Sequence, residues 1–137
     1  MLMIKLIASY LLTALVFFAI DLTWLGWIAR DWYARHMGHL MRDTVNWPVA
    51  ILFYALFIAG LFVFVILPSI EKGSLRSALG YGALFGLVTY AAYDLTNLAT
   101  MKDFPAGVVV GDIAWGMLLC TLVSGAGYGI HRWILTL

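Results

Sequence analysis

Three aspartates, Asp21, Asp94 and Asp112, stand inside long apolar runs of a 137-residue chain that is 64% hydrophobic. A carboxylate in the middle of a membrane span costs roughly 2.5–3.5 kcal/mol on insertion scales, so three in one short chain call for a partner or a use. Carboxylates crowded in a low dielectric repel one another. Such a set could hold a divalent cation, share a proton as an acid/base pair, or receive the cationic part of a ligand. The residue types do not choose among these, and they name no cofactor. On this reading Asp21, Asp94 and Asp112 are the candidate catalytic residues. The donors at helical spacing around them, Trp24, Tyr90, Tyr93, Asn97 and Trp115, are the candidate ligand-binding residues. The bland alternative is that each aspartate bonds to a Trp, Tyr, Thr or Asn of a neighbouring helix and only fixes helix pairing.

The elements that must carry these residues follow from apolar length. About 20 apolar residues cross the roughly 30 Å of hydrocarbon as a helix, because every backbone amide must be satisfied within the segment. Leu6 to Ile28, Trp47 to Ile70, Ala78 to Met101 and Phe104 to Ile130 meet that length, and Asp21, Asp94 and Asp112 are the only charges inside them. Pro48 and Pro105 lie near span starts and Pro68 near an end, where the ring is tolerated. The expected fold is an all-α four-transmembrane-helix bundle forming one domain. With alternating helix directions the three aspartates fall at a similar depth, roughly 10 Å from one interface at about 1.5 Å per residue. Tyr10, Phe17, Asp21 and Trp24 share a stripe of the first span. Gly82, Gly86, Tyr90, Tyr93, Asp94 and Asn97 share one of the third, and Asp112, Trp115, Gly116 and Leu119 one of the fourth.

The connections are short except for Arg30 to Asn46, which mixes Arg30, Asp31, Arg35 and Arg42 with Trp32, Tyr33, Met37 and Leu40 and reads as a short interfacial helix. Trp24, Trp27, Trp32, Tyr33, Trp47 and Phe104 gather at that end as an aromatic belt. His36 and His39 lack further ligands at metal spacing and read as solvated, and His131 at the other end is unremarkable. Cationic residues divide evenly, with Lys5, Lys72, Arg76 and Arg132 on one side and Arg30, Arg35, Arg42 and Lys102 on the other. The N-terminal amine tips orientation towards cytoplasmic termini.

Ten of the thirteen glycines follow Lys72, and Ala78, Gly82 and Gly86 recur at four-residue spacing, as do Gly107 and Gly111 and then Gly125 and Gly129. Such ridges let helices approach closely, either the last two spans on each other or a second copy in a homodimer. Ala19 to Leu25 laid over Ala92 to Leu98 matches at five of seven positions, the pattern of a duplicated parallel hairpin. A net charge of +1 leaves no basic surface for nucleic acid. Cys120 lies in an apolar run and reads as packing.

The phrases GALFGLVTYAAYDLTNLATMKDFP, VVVGDIAWG and FFAIDLTWLGWIARDWY resemble the bacterial predicted membrane proteins catalogued as the domain of unknown function 2177 family, a resemblance that covers nearly the whole chain. Asp21, Trp24, Asp94, Thr96, Asn97, Asp112 and Trp115 match that family's recurring positions. The resemblance implies a small multi-pass protein of the bacterial inner membrane and assigns no activity. A site near an interface, instead of at the midplane where carriers usually bind, favours handling of a membrane lipid or other amphiphile, as binder or as enzyme. A small dimeric proton- or ion-coupled transporter and a non-catalytic assembly subunit are the alternatives.

Overall fold

The computed structural model describes residues 1–137. Helix α1 (Leu2–Thr23) runs on through a π-helical turn, Trp24–Ile28, which Ala29 closes by donating its N–H to the Trp24 carbonyl at 2.7 Å. A short helix α2 (Arg30–Met37) and a 3-10 turn, Gly38–Leu40, fill the long link, which is helical as expected. Helix α3 (Trp47–Leu61) starts at Asn46, whose side chain accepts from the Val49 N–H, with Pro48 in its first turn. A second π turn, Phe62–Ile66, then leads into α4 (Leu67–Glu71). Proline clashes with the carbonyl four residues earlier, and a π turn just before Pro68 relieves that clash without ending the helix. Gly73 takes a positive φ of 62° after α4, a conformation open to glycine. Ser74 caps α5 (Leu75–Thr100) by accepting from the Ser77 N–H. Asp103, at φ 60°, turns the chain into α6 (Ala106–Thr136).

The segments Leu2–Ile28, Trp47–Glu71 and Ala106–Thr136 are long and apolar enough to cross a membrane. Helix α5, with 26 residues, has the length, but glycines, Thr89, Tyr90, Tyr93, Asp94, Thr96 and Asn97 dilute its apolarity, and it is not one of these three. Helix α1 hides its hydroxyls and faces outward with leucines. The buried stripe of α1 is Ser9, Thr13, Phe17 and Asp21, whereas Leu11, Leu15 and Leu22 face outward. Ser9 and Thr13 donate back to the carbonyls of Lys5 and Ser9, at 2.8 and 2.7 Å, so their hydroxyls are satisfied inside the helix. Leu52, Val63, Phe64, Val88 and Val110 are likewise exposed, each by more than half its surface. A chain that hides hydroxyls and presents leucines is built for a hydrocarbon solvent.

Phe17, Phe57, Ile58, Leu61, Val65, Leu119, Cys120 and Val123 form the core, and Cys120 packs there without a disulfide. The glycine ridge of α5 turns inward. A Cβ at Gly82 would meet Ser124 Oγ at 2.6 Å and the Cys120 carbonyl at 2.7 Å, and one at Gly86 would overlap the Gly116 backbone. Helices α5 and α6 thus touch backbone to backbone, while Gly80, Gly107 and Gly129 face open space. One reading is corrected. His131 lies within α6, 97% buried, with Nδ1 2.7 Å from Ser9 Oγ and its ring edge-on to Phe62. The sequence does not show this, because α6 runs six residues past the expected end of the span.

Candidate functional site

The three aspartates occupy the same end of the bundle but do not share one pocket. Asp21, in the last turn of α1, is 3% exposed and fully satisfied: Tyr54 donates to Oδ2 at 3.0 Å and Trp115 Nε1 to Oδ1 at 3.2 Å. Asp112, half-buried near the start of α6, accepts from the Tyr33 hydroxyl at 2.5 Å, and Tyr33 accepts in turn from Trp24 Nε1 at 3.2 Å. Trp24 and Trp115 stack face to face, 4.3 Å apart and 7° from parallel. Asp21 and Asp112 are therefore joined through a pair of stacked indoles and a phenol. Asp94 differs. It is 1% exposed, neither carboxylate oxygen meets a donor, and its neighbour is the carboxyl of Asp112.

The π turn that begins at Trp24 is what lets this network form. A π turn inserts an extra residue and rotates the following side chains, and such turns recur at functional sites. Here it lies between Asp21 and Tyr33, at the place where α1 hands over to α2. Helix α2 is then clamped on α6 by two consecutive side chains, Trp32 against Gly111 and Tyr33 on Asp112. A Cβ at Gly111 would stand 2.6 Å from the Trp32 ring. His39 adds a tether, with Nε2 3.0 Å from the Asp103 carbonyl. Burial and the adjoining Asp112 carboxylate hold the Tyr33 hydroxyl above the ordinary tyrosine range, so it remains a donor.

Two apolar cavities open beside this network. One, of about 400 Å³, lies between α3, α5 and α6 and is lined by Phe53, Phe57, Thr89, Tyr90, Tyr93 and Asp112. The other, of about 610 Å³, lies beneath α2, with Leu22, Leu25, Met37, Val45 and Trp47 on its walls and Arg30, Tyr33, Tyr54 and Asp112 as its polar groups. Asp112 and Tyr93 line both. Of the sequence candidates, Asp112, Tyr90 and Tyr93 face cavity space. Asp21, Asp94, Trp24 and Trp115 form the wall behind, and Asn97, one turn beyond Tyr93, lines neither cavity. No three acidic, histidine or cysteine side chains converge as a metal-ligand set.

Arg30, Tyr33 and Tyr54 belong to the site and were not among the candidates. Tyr33 reaches Asp112 across 79 positions and Tyr54 reaches Asp21 across 33, and no local pattern marks either pairing. The one available signal was that Tyr54 is a hydroxyl-bearing residue in a span with no charge.

No curated protein and no solved structure matches this chain. The family model described as a predicted membrane protein of the domain of unknown function 2177 matches residues 6–129, nearly the whole chain. With three helices long and apolar enough to cross a membrane, the chain belongs to that membrane-protein family.

Proposed function

We propose that this protein is a four-span bundle of the bacterial inner membrane that binds an amphiphile, its polar head in the cavity beneath α2 against Asp112 and Tyr33 and its apolar part along the apolar residues that border that cavity. The observation that carries the reading is the convergence of two apolar cavities on one carboxylate. Ligand sites are typically concave, largely apolar and fixed by a few polar groups, and this end of the bundle has that composition. The cavity of about 610 Å³ lies where the interfacial helix α2 meets α1 and α6, a level that suits the headgroup of a membrane molecule. Helix α5 serves as the fourth span in this reading, since it is long enough and presents Leu84, Val88 and Leu95 outward. Both termini lie in the cytoplasm. The Asp21 and Asp94 heptads are the two copies of a duplicated hairpin. A homodimer would use faces other than the ridges at Gly82 and Gly86, which are occupied within the chain.

The test is lipid retained through purification. The wild-type protein should carry an amphiphile through exchange into mild detergent, seen by native mass spectrometry. Ala50→Trp, which fills the cavity wall, and Asp112→Asn should each reduce the bound fraction at unchanged folded yield. Retention indifferent to both substitutions would sink the reading. A second reading, proton- or ion-coupled transport, is favoured by one observation, the contact between Asp94 and Asp112 with no donor on either Asp94 oxygen. A single shared proton is the hydrogen bond this geometry allows. Coupled transport would appear as pH-dependent uptake in proteoliposomes that Asp94→Asn abolishes.

A further inference from the structure

Arg30 and Asp112 are the only charged residues lining the cavity of about 610 Å³. They have opposite signs, yet they form no ion pair with each other, and the Arg30 guanidinium makes no hydrogen bond within the chain. Two opposite charges that border one mostly apolar cavity without pairing with each other suit a group that carries both complementary charges. The fold keeps them apart. Arg30 is exposed at the first position of α2, directly after the π turn, while Tyr33, one helical turn further on the same face, bonds to Asp112. Arg30, exposed, therefore stands at the mouth, and the half-buried Asp112 lies further in.

We infer that this cavity receives a phosphoethanolamine headgroup, the phosphate on Arg30 and the ammonium on Asp112. The inference rests on the amphiphile reading of the cavity and adds the headgroup class to it. Guanidinium is the side chain best matched to phosphate oxygens, through paired N–H donors. At the inner end, Asp112 accepts from Tyr33 on Oδ1 and is the member of the Asp94–Asp112 pair that lines the cavity, so an Asp112 oxygen keeps a lone pair for a ligand donor. A primary ammonium brings N–H donors to that oxygen and a quaternary ammonium brings none. The glycerol then lies at the mouth, and the acyl chains run down the apolar surface of Leu22, Leu25 and Trp47. An anionic lipid without the amine would satisfy Arg30 and leave its remaining polar groups against a carboxylate, which costs affinity.

The experiment is competitive retention from an equimolar mixture of phosphatidylethanolamine, phosphatidylcholine and phosphatidylglycerol in nanodiscs, read by mass spectrometry of the lipid kept after detergent exchange. The wild-type protein should enrich phosphatidylethanolamine about tenfold over each competitor, the effect of one charge-assisted hydrogen bond. Asp112→Asn should collapse that selectivity. Arg30→Gln, at an exposed position, should lower all three lipids by about tenfold while leaving their ratio unchanged. Equal retention of the ethanolamine and glycerol lipids, with lipid still bound, overturns the headgroup assignment alone. Equal retention of the ethanolamine and choline lipids overturns N–H donation to Asp112. No lipid retained at all overturns the amphiphile reading beneath it. Should Asp112→Asn fail to fold, the Arg30→Gln ratio still decides, because a shift in selectivity there contradicts the assignment of phosphate to Arg30.

Discussion

The heptads around Asp21 and Asp94 agree at five of seven positions and are both α-helical through their threonines, yet the fold gives their aspartates opposite surroundings. In both, the threonine two residues on donates back to the alanine four before it, Thr23 to Ala19 and Thr96 to Ala92. Both carboxylates are buried, at 3% and 1% exposure. Asp21 nevertheless accepts from Tyr54 of α3 and Trp115 of α6, whereas Asp94 has no donor and faces a second carboxyl. The divergence tracks how each helix docks. Helix α1 stands off its neighbours on long side chains, Phe17 against Phe57 as well as Asp21 against Tyr54 and Trp115. Helix α5 lies against α6 at glycine distance, and its contact is made before any donor can be placed. A short repeat in sequence thus fixes what happens within a turn of helix, and the neighbouring helix decides whether a buried charge is anchored or left available.

The strongest way to break this comparison is to disturb the glycine contact. Gly86→Val forces a branched side chain into the Gly116 backbone, which cannot give way as a flexible side chain would. We expect a loss of about 3 kcal/mol or more in unfolding free energy, at the upper end for overpacked cores. Gly80→Val, on the open face of the same helix, should be nearly neutral. Equal effects in a denaturant titration of the detergent-solubilised protein would show that α5 does not dock through its ridge.

The second test sets the two aspartates against each other with one conservative change. Asp21→Asn turns an acceptor of two bonds into a group whose NH2 must face Tyr54 or Trp115, and should destabilise by about 1–2 kcal/mol. Asp94→Asn supplies N–H donors to Asp112 where there were none, and should be neutral or stabilising. Opposite signs in thermal unfolding are the expected outcome, and losses of equal size would remove the distinction between anchored and available carboxylates.

Much of this was legible because membrane physics is severe. The three most apolar helices follow from apolar length, and the inward stripes follow from 3.6-residue periodicity, so Asp21, Asp94, Gly82, Gly86, Gly116 and Leu119 fall on buried faces as their spacing requires. What could not be read were facts about neighbours. Nothing near Asp21 announces Tyr54, and nothing near Asp112 announces Tyr33, because span sequences are apolar all round and carry little information on which helix faces which. The π turn at Trp24–Ile28 contains no proline and arises where α1 meets α2, so it too has no local signature. Asn97 shows the converse error. It lies on the right stripe by periodicity but beyond the cavities, because polarity near a helix end also serves the interface.

The smallest expected effect concerns the link between the two regions. Tyr33→Phe removes the donor to Asp112 and leaves the ring in place, at a cost of about 0.6–1.5 kcal/mol for one hydrogen bond in this setting. Its pH dependence is more telling than its size. Because burial and Asp112 hold the native Tyr33 above the usual value of about 10, the unfolded chain loses this proton first as the solution becomes alkaline. The unfolded state then binds fewer protons than the native one, so wild-type stability should fall as pH rises through about 10, and Tyr33→Phe should fall less steeply. Parallel curves for the two proteins would mean that Tyr33 is free to ionise in the folded state, and that α2 is not closed over Asp112 as the hydrogen bond requires.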